Sequence, residues 1–443
     1  MNEGASPFAI RGVIEGFYGP PWTHEQRLDL IHFISRRGMN TFAYSPKDDR
    51  LLRAGWRDPY SGADLAEFAE LVAASRDRAV DFIYCLSPGL SIQYSSADDV
   101  NALVAKIDSV AALGVSHFGL LLDDIPLQLQ HEADKVAFRD LVDAHVNLVG
   151  RVFDRFPSDR RLIVCPTVYW GRGDEDYISR LGNGIDPRID LFWTGSAVCS
   201  PSLDLLDAAT FTRATNRPPT YWDNYPVNDV AMSDELHIGP YRGRDRHLYR
   251  FSTGVIANGM ELYESSKIAF ATIADYLADP ETYDPEESWR NALRDVAGEA
   301  DFEAFATFGD NVRSSALATD DAPIVSAGLS AFMFESEHGG GPVEASKDLM
   351  ILADRLAAAA DYLLRGSVQN QALVDEGRPW IEAFDIGARA LRCIAELAAT
   401  DRLEEDGPSQ LTPYLQQLRQ ARVRVFGDTM NMTLSDLTGG GTR

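Results

Sequence analysis

From Phe8 to about Asp279 the chain alternates short runs of apolar, β-branched or aromatic residues with longer stretches whose apolar residues return every three or four positions. The short runs read as strands and the longer stretches as helices that present one apolar stripe. The strands predicted are Phe8 to Glu15, Asn40 to Tyr44, Asp81 to Leu86, Phe118 to Leu122, Leu162 to Thr167, Asp190 to Thr194, Thr220 to Trp222 and Thr253 to Ala257. Between them lie helical patterns over Thr23 to Arg37, Ala63 to Arg78, Ala97 to Leu113, Ala133 to Phe156, Ser202 to Thr215 and Ser265 to Leu277. The first of these opens with Thr23 and Gln26 at the spacing of a capping box. Alternation of this kind demands a parallel sheet with helical crossovers, and eight repeats is the number that closes a (β/α)8 TIM barrel. An open doubly wound sheet is the rival fold. It is disfavoured because no G-x-G-x-x-G or P-loop follows the first strand, where a nucleotide-binding sheet carries one.

After about Pro280 the strand signal stops, and Ala-, Leu- and Glu-rich helical patterns take over at Glu287 to Val296, Phe302 to Ser315, Pro342 to Arg365, Ala372 to Ala399 and Pro413 to Phe426. The fold class expected is therefore α/β, a (β/α)8 barrel over residues 1–280, followed by an all-α helical bundle over 281–436 and a flexible tail over 437–443.

Charge narrows the range of partners. With 67 acidic against 41 basic residues, a net charge of -26, the surface field repels phosphate, so nucleic acid and anionic membranes are not expected as partners. Met1 to Pro7 lacks a basic patch leading into an apolar run, and no stretch of eighteen or more apolar residues occurs, which predicts a cytoplasmic protein. The four cysteines are far apart, without C-x-x-C pairing, and read as small buried hydrophobes. The eight histidines never form H-x-H or H-E-x-x-H, no G-x-S-x-G elbow occurs, and no metal or cofactor is expected.

A barrel of this kind works at the C-terminal ends of its strands, and those ends are rich in polar and aromatic groups here. They carry Glu15-Gly16-Phe17-Tyr18, Ser45-Pro46-Lys47, Leu122-Asp123-Asp124, Thr167-Val168-Tyr169, Trp193-Thr194, Trp222-Asp223-Asn224 with Asp229 nearby, and Asn258. Asp123 and Asp124 are the sharpest feature. Two neighbouring carboxyls raise each other's difficulty of ionising, so that one is kept as an acid; the bland alternative is a helix N-cap or a solvated loop pair. Tyr18, Tyr169, Trp193 and Trp222 suit the C–H faces of a sugar, and Lys47, Asn224, Asp229 and Asn258 its hydroxyls. Trp193 and Trp222 read equally well as core aromatics, and Lys47 as a surface partner of Asp48 or Asp49.

The segments Arg11-Gly-Val-Ile-Glu-Gly-Phe-Tyr-Gly19, Tyr44-Ser-Pro-Lys-Asp-Asp49, Leu122-Asp-Asp-Ile125, Cys165-Pro-Thr-Val-Tyr169, Phe192-Trp-Thr-Gly195, Tyr221-Trp-Asp-Asn224, Gly239-Pro-Tyr-Arg-Gly243 and Ala257-Asn258 together resemble the O-GlcNAcase-like β-N-acetylglucosaminidases of glycoside hydrolase family 84, in its bacterial form. The resemblance spans about Arg11 to Ala278 in family order. It implies a retaining exo-enzyme acting on terminal β-linked N-acetylglucosamine (GlcNAc), on a glycan or on Ser/Thr of a glycosylated protein, in which the acetamido oxygen of the substrate attacks its own anomeric carbon to give an oxazoline. Carried over by residue, Asp123 holds the acetamido N–H, and Asp124 is the acid and then the base. Tyr169 and Asn224 pin the acetamido group, while Gly16, Lys47, Asp229 and Asn258 bind hydroxyls and Tyr18 and Trp222 shape the pocket. Val168 stands where better-known animal relatives carry an acidic residue, and the loop from Asn224 to Asp229 differs in composition, which leaves leaving-group preference open. The alternatives are a hexosaminidase acting on cell-wall, chitin or hyaluronan-type fragments, or, from another class, a non-catalytic glycan-binding barrel. The Ala-rich helices leave room for a homodimer through the helical part.

Overall fold

In the computed structural model, which describes residues 6–319 and 322–439, eight parallel strands close into a barrel in chain order. They are β1 (Ile10–Glu15), β2 (Thr41–Tyr44), β3 (Asp81–Leu86), β4 (His117–Leu121), β5 (Arg161–Cys165), β6 (Asp190–Trp193), β7 (Thr220–Asp223) and β8 (Gly254–Asn258). β8 pairs with both β7 and β1, so no edge is left and the open doubly wound sheet is excluded. The first five residues and the end of the expected tail, 440–443, lie outside the described residues.

The barrel interior is read at every second residue, as the strand period of two requires. Ile10 and Ile14, Ala43, Ile83 and Cys85, Leu121, Ile163 and Cys165, Phe192, Trp222 and Ile256 form one buried cluster. Gly254 lies on this inner face at the closing seam, where a Cβ would come within 1.9 Å of the Ile10 carbonyl oxygen, so only glycine allows β8 to approach β1. Two further steps along the same face reach the rim. Gly16, Asp123, Thr167, Thr194, Asn224 and Asn258 each stand two residues beyond an interior core residue, which is why an apolar run ends in chemistry at so many strands.

The first helix, His24–Arg36, begins with the expected reciprocal capping box between Thr23 and Gln26. The single helix expected over Ala133 to Phe156 is two, Glu132–Ala137 and Leu141–Phe153. Phe138 is extended between them, and the Asp140 carboxylate accepts the Asp143 N–H at 3.1 Å, so a mid-pattern aspartate acts as an N-cap rather than continuing the helix. A short helix at Asp176–Gly184, with two glycines in its last three residues, adds to those expected.

The chain divides into two units. The first runs to Val227 and adds Arg242–Tyr263 and Ile273–Tyr283; the second holds Asn228–Tyr241, Glu264–Thr272 and the described residues from Asp284 on. In the second unit helices cover Pro285–Ala297, Phe302–Gly309, Pro323–His338, Pro342–Arg365, Gln371–Ala399, Leu403–Ala421 and Thr429–Leu437. The segment before Arg242 joins this unit through the indole N–H groups of Trp289 and Trp380, which donate to the Ile238 and Asp234 carbonyls at 2.7 and 2.9 Å. The helix at Pro323–His338 had no clear sequence signal, and the one expected over Phe302 to Ser315 stops at Gly309. Among the described residues no helix is long and apolar enough to cross a membrane.

Candidate active site

The rim is organised around Asp123, whose carboxylate is nine-tenths buried just beyond β4. Its Oδ2 accepts the Lys47 ammonium at 2.8 Å, and Oδ1 is buried with no hydrogen-bond partner among the described residues. Lys47, from the loop after β2, is equally buried, and its nitrogen lies 5.5 Å from the Trp222 ring centre and 5.6 Å from that of Tyr18. Burial works against the Lys47 charge, yet Asp123 and the neighbouring electron-rich groups outweigh it and hold the ammonium above its ordinary value. Lys47 is therefore no surface partner of Asp48 or Asp49. Asp49 is occupied by the hydroxyls of Tyr44 and Tyr60, at 3.1 and 2.8 Å.

Asp124 has a different environment. Its backbone takes a left-handed φ of 52°, a conformation that an L-residue holds at a cost of about 1–3 kcal/mol and that concentrates at functional sites. The exposed carboxylate accepts the Tyr18 hydroxyl at 2.7 Å and the Tyr169 hydroxyl at 3.1 Å. Burial first, with the Asp124 carboxylate adding to it, pushes the Tyr169 phenol well above its usual range; Tyr18 is also raised, chiefly by burial. Neither aspartate caps a helix, since the next helix starts at Glu132. Each of the two carboxyls has its own partners, so their difference rests on environment, one buried on a cation and one exposed under two phenols, rather than on adjacency alone.

The other wall is an amide relay. Gly16 N–H donates to Asn258 Oδ1 at 3.0 Å, and Asn258 Nδ2 donates to Asn224 Oδ1 at 3.0 Å. Trp222 Nε1 donates to the same oxygen at 2.9 Å, and Asn224 Nδ2 to the Val198 carbonyl at 2.8 Å. This fixes which way both amides face and leaves each a second N–H for a ligand. Glycine is required at position 16, because a Cβ would stand 2.5 Å from the Trp222 ring. Trp193 is not part of the rim: it is buried against Phe211, with ring centres 5.1 Å apart, and is a core aromatic. Asp229 starts a single 3₁₀ turn, Val230–Met232, and belongs to the second unit. Thr167 carries no sequence signal beyond its place at a strand end, yet its hydroxyl donates to the Leu122 carbonyl at 2.6 Å, one residue before Asp123. Among the described residues no group of three His, Cys, Asp or Glu side chains is placed to hold a metal ion.

A buried carboxylate with an oxygen open to a donor thus stands beside an exposed carboxylate held by two phenols, an arrangement able to bind one polar hydrogen and to move another proton. The family model for β-N-acetylglucosaminidase matches residues 11–310 of the chain. The chain belongs to the β-N-acetylglucosaminidase family. Its members are glycoside hydrolases, and the (β/α)8 barrel with a helical region after it is the architecture expected from the sequence. This β-N-acetylglucosaminidase-family chain is 33% identical over 271 residues to Protein O-GlcNAcase of Rattus norvegicus and, at the same identity and length, to that of Mus musculus. The match takes in 60% of the chain but 29% of those relatives, so the chain spans less than a third of their length. Among solved structures, a mutant of the Thermobaculum terrenum O-GlcNAc hydrolase superimposes with a TM-score of 0.91 at 32% identity, covering 98% of this chain and 95% of that one. CpGH84B follows the same fold with a TM-score of 0.87 at 26% identity over 98% and 77% of the two chains.

Proposed function

We propose that the chain is a retaining exo-β-N-acetylglucosaminidase that removes terminal β-linked GlcNAc, including O-GlcNAc on Ser and Thr of proteins, through an oxazoline intermediate. The observation that carries this reading is the divided environment of the carboxyl pair. Asp123, fixed by Lys47, offers its unpartnered oxygen to the acetamido N–H and stabilises the positive charge that the amide gains as its oxygen attacks the anomeric carbon. The glycosidic bond breaks as Asp124, at the exposed lip, gives its proton to the leaving oxygen. Asp124 then takes a proton from water, which attacks the anomeric carbon from the side the aglycone left; the oxazoline opens and configuration is retained. The nucleophile is part of the substrate, so the protein needs only to orient it and move two protons. Tyr169 and Asn224 steady the acetamido group, Gly16, Lys47 and Asn258 meet the hydroxyls, and Tyr18 and Trp222 form the walls. The rodent relatives, protein O-GlcNAcases, and the bacterial relative, an O-GlcNAc hydrolase, favour protein-borne GlcNAc over cell-wall or chitin fragments.

The test compares wild type and Asp124→Asn on a peptide carrying O-GlcNAc on serine and on an N-acetylglucosamine disaccharide. Wild type is expected to release GlcNAc from the peptide, and the variant, folded as judged by circular dichroism, to lose about 10²–10⁴-fold in kcat. Unchanged turnover in the folded variant contradicts the assignment of the acid; cleavage of the disaccharide alone transfers the enzyme to glycan fragments.

A further inference from the structure

Behind the site lies a buried histidine that the chemistry above does not use. His145, on the helix Leu141–Phe153, is fully buried, with Nδ1 2.7 Å from the Tyr177 hydroxyl and Nε2 3.0 Å from the Tyr94 hydroxyl. The Tyr177 oxygen accepts the backbone N–H of Thr167 at 3.2 Å. Thr167 in turn donates its own hydroxyl to the Leu122 carbonyl at 2.6 Å, and that carbonyl belongs to the peptide leading into Asp123. Two residues after Thr167 comes Tyr169, whose carbonyl accepts the Thr194 N–H at 2.9 Å.

The direction of the chain of bonds follows from donor chemistry. A backbone N–H only donates, so the Tyr177 oxygen accepts there; we assign its hydroxyl proton to Nδ1, which puts the imidazole proton on Nε2 facing Tyr94. The ring is neutral in this arrangement, in keeping with its burial, which lowers its pKa to about 3. The far end is anchored as well. Tyr94 N–H donates to the buried Asp134 carboxylate at 3.0 Å, and Arg151 donates to the Tyr94 carbonyl at 3.1 Å.

We propose that His145 is a positioning residue for the reaction: through Tyr177 and Thr167 it fixes the Leu122–Asp123 peptide and the strand end that bears Tyr169, so that the open oxygen of Asp123 meets the acetamido N–H in register. The inference rests on the function proposed above for Asp123 and Tyr169. A small displacement of that oxygen weakens an interaction made mainly in the transition state, so the effect falls on kcat and not on KM.

Leucine and asparagine have nearly the same shape, but asparagine places an acceptor oxygen where Nδ1 stands. His145→Leu is therefore expected to lower kcat on an aryl β-N-acetylglucosaminide about tenfold with KM changed less than about twofold, and His145→Asn to keep kcat within about twofold of wild type. Tyr94→Phe, which leaves the Nδ1 link whole, is the control for stability: its melting temperature falls while kcat stays. Equal kcat for the leucine and asparagine variants, or losses that track melting temperature across all three proteins, overturns the positioning role. Should His145→Leu not fold, Tyr177→Phe cuts the same link, and wild-type kcat in that variant overturns the proposal equally. Wild-type enzyme that fails to cleave the glycoside overturns the reading of the site itself, and is told apart from these outcomes because no variant is needed to see it.

Discussion

Replacing Lys47 by methionine keeps the length and most of the volume of the side chain and removes its charge. In the native site the Lys47 and Asp123 side chains are 4% and 8% exposed and 2.8 Å apart, and among the described residues this is the one hydrogen bond made by the Asp123 carboxylate oxygens. The substitution leaves a buried carboxylate with neither oxygen partnered. For a pair this deeply buried, loss of one partner costs about 3–5 kcal/mol, against about 0–1 kcal/mol for an exposed pair. The larger figure applies here because both side chains of the pair are buried. Lys47→Met is thus expected to lower the barrel's unfolding free energy by about 3–5 kcal/mol, and Lys47→Met with Asp123→Leu to recover most of that loss, because the uncompensated charge goes too. Urea unfolding followed by tryptophan fluorescence of the wild type, both single variants and the double variant gives the coupling energy directly. A loss below about 1 kcal/mol for Lys47→Met, or a double variant as unstable as the sum of the singles, refutes the description of Lys47 and Asp123 as one buried unit.

Two other expectations follow from the same geometry. Gly16→Ala drives a methyl group to 2.5 Å from the Trp222 ring and 3.2 Å from Asn258 Oδ1, so it is expected to raise KM for an aryl β-N-acetylglucosaminide at least about tenfold and to cost about 1–3 kcal/mol of stability, read from steady-state kinetics and thermal melts; wild-type KM would contradict the close fit of the amide relay. His145 has its pKa lowered to about 3 when folded, against 6.5 when unfolded, so the unfolded chain binds the extra proton first and its contribution is complete above about pH 6.5 and falls away as pH drops toward 3, by about 1.4 kcal/mol per pH unit. Comparing wild type with His145→Asn between pH 7 and 4 isolates this slope, and parallel curves would show that the ring is not held neutral.

The barrel was legible because each strand is covered on both faces, so its apolar run stands out against the amphipathic helices on either side. All eight strands lie within two residues of the positions expected. The candidate site was legible for the same reason: a period of two carries the inward-facing pattern two residues beyond the last core residue, at or just past the strand end, to Gly16, Asp123, Asn224 and Asn258. Asp124 breaks that parity. Its carboxylate reaches Tyr18 and Tyr169 across a left-handed residue, and nothing in a pattern of polar and apolar positions announces a positive φ at an aspartate. Trp193 shows the opposite case, an aromatic at a strand end that faces a helix rather than the rim. Asp140 stopped a helix whose apolar spacing continued, because a side chain able to cap competes locally with the helical backbone. The bonds from His145 to the Leu122 carbonyl join residues 145, 177, 167 and 122, and only the closed barrel brings them together.

The measurement closest to the central claim is the rate of hydrolysis of aryl β-N-acetylglucosaminides whose acetyl group carries none, one, two or three fluorines. Fluorine withdraws electron density from the acetamido oxygen with little change in shape, so if that oxygen attacks the anomeric carbon while Asp123 holds the N–H, log kcat/KM falls steeply and linearly along the series. A flat series would mean that a carboxylate of the protein is the nucleophile, and the roles assigned to Asp123 and Asp124 would be wrong.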